Sequence, residues 1–348
     1  MTDNITGKTI LLICGEFHNY DEEIFKALSS LGAKEVILKR ATRLKGSLRD
    51  RLNASSIFFF LANPFERYKR TKKWEKELEG ITFDVMLCIQ SMQFSKGFLK
   101  YLKNKNPNIR LILFLWDTFK IQNPRYFDYL PLFDLIYSFD RDDAQKYGFR
   151  YFPDFYLEGE KPSGRLRFDV AFVGTMNAVN YKYRSRLVYC IDRFCKKNGL
   201  TSLLYLKYAD FNKESKSRIK LLWHKITRWR YIRWTEIYER CDFMYSEAIS
   251  LSAFEGIMND ARVIVDINYR DRQGMTINAI TALAKGKKLI TTNKRMKEEP
   301  FYDPNVIYIL DEDHPRLDIE FFKSSYTPVN LEELRVDNWL KHILNEQD

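Results

Sequence analysis

The sequence predicts an α/β fold with two Rossmann-like domains facing a cleft. Its 348 residues are too many for one ordinary hydrophobic core and suit two. Short apolar segments alternate with amphipathic ones, a pattern typical of parallel sheets covered by helices on both faces. The alternation stops at Pro153–Arg167, where Pro, Gly and Ser cluster, and then starts again. We therefore expect domains at 1–155 and 165–330, and a helix at 331–348 that packs back toward the first domain.

The first half contains short apolar runs separated by polar loops. The run Lys8–Cys14 is followed by Gly15, which predicts a buried strand. Apolar residues at helical spacing follow between Asp21, a candidate N-cap, and Gly32, a candidate stop. The same reasoning predicts strands at 34–39, 55–62, 83–89, 110–116 and 133–139, and a helix at 96–106.

The second half repeats this alternation. Its predicted strands are 168–175, 202–206, 262–267, 287–292 and 305–310, and its tail at 330–344 has a helical pattern. Two doubly wound halves joined near residue 160 are the simplest interpretation of the two series.

The composition favours a cytoplasmic protein with an acidic partner. The five cysteines form an odd set without a CxxC pair, which suggests reduced thiols. No segment reaches the ~18 apolar residues of a membrane span, and the N-terminus lacks a signal-peptide pattern. The formal net charge is +11, and Lys213–Trp234 holds eight Lys or Arg against one Glu. Nucleic acid, a phosphorylated substrate and an anionic membrane are therefore candidate partners.

The loop after the first strand of the second half is a candidate phosphate-binding site. Gly174 and Thr175 lie at the predicted carboxyl end of this strand, where open α/β sheets bind ligands. Arg184 and Arg186 follow at the start of the next helix, where they would meet phosphate oxygens. The segment is not a GxGxxG motif, so a tight turn with two solvated arginines is the alternative.

The run DRQGMT, between a predicted strand and a predicted helix, is a stronger candidate. Gly274 permits close backbone approach, and the helix start offers free N–H groups and a positive dipole end. A diphosphate would fit there, with Thr276 as a hydroxyl donor and Arg270 or Arg272 as a counter-charge. Alternatively, Thr276 caps the helix and Gly274 turns the chain. The candidate residues of this loop are Arg272, Gln273, Gly274, Met275 and Thr276.

The chain resembles a family of bacterial glycosyltransferase-like proteins of the GT-B type, which act in lipopolysaccharide-core and capsular-polysaccharide synthesis. The similarity lies in VDINYRDRQGMTINAITALAKGKKLITTNKRMKEEPFYDPNVIYILD, in YSFDRDDAQKYGFRYFPDFY and in the pattern DVAFVGT…R…L. It covers residues 130–345 and is most specific in the last third of the chain. The resemblance implies a GT-B-like fold, with an acceptor-side first domain and a second domain that binds the nucleotide-sugar donor.

Two positions depart from the pattern of that family. Asn278 stands where the resemblance implies an Arg, and Thr281 stands where it implies a Glu that holds the donor ribose or sugar. A carboxylate accepts two hydroxyl hydrogen bonds, whereas threonine accepts far less from a diol. Donor binding is therefore rearranged at Thr281, or the donor differs, or activity is lost.

An inverting enzyme of this type would need a catalytic base in the first half. His18 follows the first strand and Asp117 ends the strand at 110–116, and strand ends are where a parallel sheet places reactive groups. The alternatives are a surface-loop histidine and a carboxylate that caps the next segment.

Two acidic runs raise the possibility of a metal site. The DxD in Phe139–Asp143 matches the metal-binding signature of the other glycosyltransferase class, GT-A. Because a helical pattern follows, we interpret Asp142 as a helix cap. We interpret Asp311–His314 as a solvated loop, with a metal cluster as the alternative.

The basic segment 213–234 also carries large apolar residues. On a helix, Trp223 and Trp229 share a face with Ile219, Leu222 and Ile226. Tryptophan flanked by basic residues suits a membrane interface, and an ordinary packed helix or a nucleic-acid site are the alternatives. The candidate membrane contacts are Lys220, Trp223, Lys225, Arg228 and Trp229.

Together these features and the resemblance imply a glycosyltransferase that is cytoplasmic and peripheral on the inner face of the plasma membrane. It would move a sugar from a nucleotide-sugar to a lipid-linked or polysaccharide acceptor, with no cofactor, no metal and no nucleic-acid partner. The competing interpretation is a non-catalytic sugar-nucleotide or phosphate-binding protein on the same fold, which Thr281 supports. Nucleic-acid binding is supported by charge alone.

Overall fold

The structure is a computed structural model of the 348-residue chain. It describes residues 5–16, 19–41, 56–90, 92–119, 127–158, 166–176, 180–210, 222–223, 226–238, 240–268 and 274–345, with backbone only at 56–64, 66 and 251. The chain divides into two compact units, Met1–Leu157 with Glu333–Asp348, and Glu158–Glu332.

The first unit is built on a parallel sheet of six described strands. These are β1 (Thr9–Cys14), β2 (Glu35–Arg40), β3 (Val85–Ile89), β4 (Arg110–Leu115), β5 (Leu135–Ser138) and β6 (Arg150–Tyr151). Their order is β2-β1-β3-β4-β5-β6. The chain therefore places β2 on one side of β1, and β3 and all later strands on the other side. All residues of β1 and β3 are buried, as expected of central strands covered on both faces.

The helices of the first unit lie in the connections between its strands. They are α1 (Tyr20–Ser30), α2 (Ser56–Glu77), α3 (Lys96–Lys105) and α4 (Arg141–Tyr147). The carboxylate of Asp140 accepts the N–H groups of Asp142 and Asp143 and so caps α4, and Gly148 ends the helix at a φ of 71°. The expected cap at Asp142 is therefore wrong, since the helix begins one residue before it.

The predicted strand at 55–62 is also wrong, because residues 56–62 are helical and belong to α2. Further along, Arg67, Thr71 and Trp74 are buried at spacings of four and three residues, which is a helical stripe. A short apolar run has no periodicity that distinguishes a strand from a buried helix turn.

The second unit has its own parallel sheet of six described strands. These are β7 (Phe168–Thr175), β8 (Ser202–Lys207), β9 (Met244–Tyr245), β10 (Ala261–Asp266), β11 (Lys288–Thr291) and β12 (Ile307–Ile309). The helices are α5 (Tyr181–Asn198), α6 (Trp229–Tyr238), α7 (Leu251–Asp260), α8 (Ile277–Ala284) and α9 (Ile319–Lys323). The strand order is β12-β11-β10-β7-β8-β9, which is the 3-2-1-4-5-6 order of dinucleotide-binding Rossmann sheets.

The terminal helix α10 (Val336–Asn345) packs on the first unit, as expected from the sequence. Trp339 is fully buried against Phe114 and Phe155, and its indole Nε1 donates to the carbonyl of Pro153 at 3.0 Å. The predicted two-domain α/β fold is therefore confirmed. Each helix in the described parts of the chain is too short or too polar to cross a membrane.

Candidate functional site

The two predicted phosphate loops belong to neighbouring strands of the second unit. Strands β7 and β10 pair in parallel, and the chain leaves them in opposite directions, toward β8 and toward β11. In open α/β sheets ligands bind at this switch point, at the carboxyl ends of the strands. The fold therefore brings the end of β7 and the segment before α8 to one edge.

Gly174 and Thr175 form the end of β7. A Cβ at position 174 would lie 2.5 Å from Cζ of Phe172, so any other residue would force this buried ring to shift. Thr175 is exposed, and its carbonyl accepts a hydrogen bond from Arg184. Packing within β7 therefore explains the glycine at position 174.

Arg184 joins the ends of β7 and β10. Its Nη1 donates to the carbonyl of Thr175 at 2.7 Å, and its Nη2 donates to the carbonyl of Ile267 at 2.5 Å. Arg186 is exposed and donates through Nη2 to the carbonyl of Glu312, beyond β12. Both arginines therefore hold backbone at the carboxyl edge, and the Arg184 cation lies at the switch point.

The segment before α8 is held by hydrogen bonds to β10. Gly274 is buried, and its carbonyl accepts from Asn268 Nδ2 at 3.0 Å. Met275 is buried, and Thr276 is the N-cap of α8, accepting from the N–H of Ala279 at 3.1 Å. The Thr276 hydroxyl also hydrogen bonds the carboxylate of Asp266. Arg270, Arg272 and Gln273 lie outside the described residues.

The positions that depart from the family pattern both lie on α8. Asn278 is exposed in its first turn, and Thr281 is partly exposed in its second. The sequence-predicted role of Thr281 in donor binding stays a prediction.

Two further polar residues at the end of β10 were not selected from the sequence. Asp266 Oδ2 and Asn268 Oδ1 are buried acceptors, and no described residue donates a hydrogen bond to either oxygen. The signal was present in the run RVIVDIN, where an otherwise apolar strand ends in two polar residues. These oxygens adjoin the contacts of Gly274 and Thr276, so they belong to the same edge.

The side chain of Asp266 has a raised pKa. Burial raises its pKa from 3.8 to about 6, although the Arg184 cation and the Thr276 hydroxyl act in the opposite direction. A buried carboxylate is costly unless donors or a counter-charge compensate for its lost hydration. The donors around Asp266 do not fully offset its burial. Carboxyl groups with such raised pKa values are found at binding and catalytic sites more often than at ordinary strand ends.

The neighbouring strand ends complete this polar cluster. Thr292 follows β11 and is buried, and its Oγ1 accepts the N–H of Asn268 at 2.9 Å. Tyr183 donates to Glu312 Oε1 at 2.8 Å, which ties α5 to the loop after β12. We call Thr175, Tyr183, Arg184, Asp266, Asn268, Gly274, Thr276, Thr292 and Glu312 the switch-point cluster.

In the first unit, Asp117 follows β4 and is partly exposed. Its N–H donates to Gln90 Oε1 at 3.1 Å, and the next residue, Thr118, donates to Asp140 Oδ2 at 3.1 Å. These contacts fix the loop from both neighbouring strands. His18 lies outside the described residues.

The two acidic runs serve local backbone structure. Asp140 caps α4, as described above, and Asp311 accepts the N–H groups of Asp313 and His314, each at 2.8 Å. Within the described residues, no group of three or more His, Cys, Asp or Glu side chains is arranged to hold a metal ion.

Part of the predicted membrane segment is described. Residues 222, 223, 226 and 227 have helical backbone before α6 begins at Trp229. Leu222, Trp223, Ile226 and Trp229 are 60%, 58%, 62% and 52% exposed, so they are not packed into the core of the unit. Arg228 is exposed, and Lys220 and Lys225 lie outside the described residues.

Several solved structures are similar to this chain over most of its length. An alpha-glucosyltransferase in complex with UDP and DNA has 12% identity and a TM-score of 0.53, with 91% of this chain and 90% of that chain covered. A UDP-forming trehalose-phosphate synthase from Burkholderia xenovorans has 11% identity and a TM-score of 0.52, with 97% and 94% covered.

A third structure, "Trehalose-6-phosphate from E. coli bound with UDP-2-fluoro glucose", has 11% identity, a TM-score of 0.53 and coverage of 97% and 94%. No family model and no curated protein matches the sequence. The structural likeness establishes the fold, which is that of GT-B glycosyltransferases.

Proposed function

We propose that the protein is a glycosyltransferase that moves the sugar of a UDP-sugar to a surface-glycan acceptor, lipopolysaccharide or capsular polysaccharide. The observation that carries this proposal is the pair of buried acceptors, Asp266 Oδ2 and Asn268 Oδ1, within the switch-point cluster. A buried polar atom without a partner costs about 1–3 kcal/mol. The hydroxyl groups of a ribose or a sugar would remove that cost, and two of the similar structures hold UDP or a UDP-sugar.

The second unit is the donor domain in this proposal. The diphosphate would lie at the start of α8, because a helix N-terminus presents N–H groups and a positive dipole end. Arg184 adds a fixed cation beside this point. Preorganised positive charge stabilises a departing diphosphate without a metal ion.

The buried acceptors also provide a substitute for the glutamate that Thr281 replaces. If Asp266 and Asn268 accept the donor hydroxyls, the acceptor groups lie at the end of β10 instead of on α8. Thr281→Glu would then add a second acceptor, and we expect it to tighten nucleotide binding or to change nucleotide preference.

The first unit is the acceptor-side domain, with Asp117 or His18 as the base. The acceptor hydroxyl oxygen would attack the anomeric carbon of the donor sugar, and its proton would pass to the base. The bond between the anomeric carbon and the phosphate oxygen breaks, and the diphosphate leaves with the electron pair. Asp117 has the partial exposure that contact with an acceptor requires.

A lipid-linked acceptor would bring the enzyme to the inner face of the plasma membrane. The exposed side chains of Leu222, Trp223, Ile226 and Trp229 support this, since an ordinary packed helix would bury them. The excess of basic residues in 213–234 is the charge that an anionic membrane attracts.

A nucleotide screen tests the proposal. We expect UDP to raise the melting temperature more than GDP, CMP, CDP or dTDP, because binding to the native state stabilises it by mass action.

By calorimetry, Asn268→Ala should weaken UDP binding by about 1–3 kcal/mol, or about 5- to 150-fold. Gly274→Val should weaken it strongly, since the branched side chain would fill the approach path. Asn305→Ala, at an exposed amide of the same unit, should leave the affinity unchanged.

The proposal is wrong if no nucleotide binds, or if folded Gly274→Val binds as well as the wild type. Hydrolysis of a UDP-sugar without acceptor separates an enzyme from a non-catalytic binding protein on the same fold. EDTA should change neither binding nor hydrolysis.

A further inference from the structure

Two residues of the first unit adopt a backbone conformation that residues other than glycine rarely take. Within the described ranges, Asn19 and Gln90, with φ angles of 61° and 56°, are the only non-glycine residues with a positive φ. Such conformations are unfavourable, and they cluster at ligand-binding and catalytic sites. Asn19 is the N-cap of α1, which follows β1, and Gln90 directly follows β3. The strained backbone therefore lies in the segments that leave two neighbouring strands.

These segments leave the first sheet at its switch point. Strand β1 pairs in parallel with β2 on one side and with β3 on the other. Open α/β sheets bind ligands at such a point, at the carboxyl ends of the strands. The N–H of Gln90 donates to the carbonyl of Phe114 at 2.8 Å, which continues the pairing of β3 with β4. The sheet itself therefore fixes the backbone of Gln90.

The side-chain amide of Gln90 is oriented by the loop after β4. Its Oε1 accepts the N–H of Asp117 at 3.1 Å. Because that N–H can only donate, the atom facing it is the amide oxygen, and Nε2 with its two donors faces elsewhere. The side chain is partly exposed, and no described residue accepts a hydrogen bond from Nε2. Gln90 thus presents two oriented donors beside Asp117.

Two aromatic rings bring the start of α1 to the same edge. Tyr20 and Trp116 are both partly exposed, and their ring centroids lie 6.4 Å apart in an edge-to-face contact. Tyr20 adjoins Asn19, and Trp116 adjoins Asp117. Asn19 is exposed, and its side chain forms no capping hydrogen bond although it occupies the N-cap position. Its amide is therefore available to a ligand at this edge.

Carboxylates outnumber cations among the described residues around the start of α1. The acidic residues there are Glu16, Asp21, Glu22 and Glu23. Arg40 pairs with Asp21 at 2.5 Å and with Glu22 at 2.9 Å, and Lys26 pairs with Glu23 at 2.6 Å. With Asp117 close to the same rings, a negatively charged ligand would be repelled, whereas a neutral one would not.

We propose that this edge of the first unit binds the neutral terminal sugar ring of the acceptor glycan. Gln90 and Asn19 hydrogen bond its hydroxyl groups, and Trp116 and Tyr20 pack against its C–H face. Hydroxyl groups both donate and accept, so side-chain amides complement them, and partly exposed rings supply the apolar part of such a site. The inference rests on the proposed function and narrows its acceptor to a glycan whose receiving sugar carries no phosphate or carboxylate.

Gln90 is a positioning residue in this arrangement. It contacts the loop of Asp117 through Oε1 and would contact the acceptor through Nε2, so it places the sugar beside one of the two proposed bases. The amide takes up no proton in the reaction. Contacts from β4 and the following loop hold Gln90 in its strained conformation, as expected of a residue kept for binding.

The indole signal of Trp116 tests the subsite at its own position. The chain has six tryptophans, and Trp116→Phe assigns this signal in spectra of protein labelled with nitrogen-15 tryptophan. Methyl α-glucoside, methyl β-galactoside and methyl α-mannoside serve as neutral probes, and glucose 6-phosphate serves as the charged one. We expect at least one neutral probe to shift the signal, and glucose 6-phosphate to shift it less at low ionic strength.

Two variants of Gln90 separate its donors from its backbone. Gln90→Gly should fold, because glycine adopts this φ freely, and should bind the neutral probe about tenfold more weakly. Gln90→Glu keeps an oxygen for the N–H of Asp117 but has no donors, so it should bind as weakly. Asn104→Ala, at an exposed amide on α3, should bind like the wild type.

The inference is overturned if no neutral probe shifts the Trp116 signal, or if glucose 6-phosphate shifts it as much. It is also overturned if folded Gln90→Gly binds the neutral probe as well as the wild type does. Calorimetry of the wild type with UDP tests the proposed function separately. Shifts at Trp116 without UDP binding would contradict the proposed function, whereas UDP binding without such shifts would contradict only the acceptor subsite.

Discussion

Asp266 illustrates how a single residue can reduce stability at a candidate site. Its pKa in the folded protein is raised from 3.8 to about 6, so the folded chain holds a proton that the unfolded chain has released. The favourable contribution of the protonated form is complete below the ordinary pKa of about 4. It is lost as the pH rises toward 6, and above that the buried charge destabilises the fold.

We therefore predict that Asp266→Asn stabilises the protein at pH 8 but not at pH 3.5. A shift of about two pKa units corresponds to a gain of at most about 3 kcal/mol in the free energy of unfolding. Urea unfolding at both values measures the difference, and UDP affinity should fall in the same variant. Asp242→Asn, whose carboxylate is 87% exposed, is the control and should show neither effect. An equal gain at both pH values would contradict the assignment of the raised pKa to Asp266.

At the scale of elements, two helices of the second unit begin with the same kind of cap. Thr276 caps α8 and accepts from the N–H of Ala279, whereas Ser250 caps α7 and accepts from the N–H of Ala253 at 3.2 Å. The two caps differ in their surroundings, because only Thr276 also hydrogen bonds a buried carboxylate, that of Asp266. This makes Ser250 a matched control for a role of Thr276 in ligand binding.

We predict that Thr276→Ala and Ser250→Ala each lower the free energy of unfolding by about 1 kcal/mol through loss of the cap. Only Thr276→Ala should also weaken UDP binding, by about 1 kcal/mol for one hydrogen bond and up to about 3 kcal/mol if it meets charge. Thermal unfolding and calorimetry give the two quantities. Equal UDP affinities of the two variants would mean that Thr276 is a cap and nothing more.

At the scale of the whole molecule, the segment 213–234 combines an excess of basic residues with exposed tryptophan side chains. The exposed side chains of Trp223 and Trp229 flank Arg228, within a run that holds a net excess of seven basic residues. A basic aromatic surface of this kind binds anionic lipid by two independent terms, electrostatic attraction and apolar burial.

We predict that the triple variant Lys220→Glu, Lys225→Glu, Arg228→Glu no longer sediments with anionic vesicles. Each basic side chain near such a surface contributes about 1 kcal/mol, so three lost contacts reduce binding by about 100-fold or more. A triple Glu variant of Arg193, Lys196 and Lys197, on the exposed end of α5, has the same change in net charge and should still bind. If both variants are released alike, net charge alone governs binding and the segment has no special role.

Much of the fold could be predicted from local patterns in the sequence. Apolar runs such as that of β1 and β10 end at Gly, Asp or Asn, and these signals need no knowledge of distant contacts. The same patterns located the loops of Gly174 and Gly274, since a strand followed by a polar turn and a helix is a local feature. The run at 55–62 was misassigned because its apolar residues are too few to show a period.

Only the tertiary structure decided which atoms within those loops lack partners. Whether Asp266 or Asn268 finds a hydrogen-bond donor depends on strands and helices that lie elsewhere in the sequence, such as α8. The sequence by itself determined two doubly wound halves and their carboxyl edges, because periodicity and turn residues act over a few positions. The switch between β7 and β10 was decided by strand order, which arises from long-range packing.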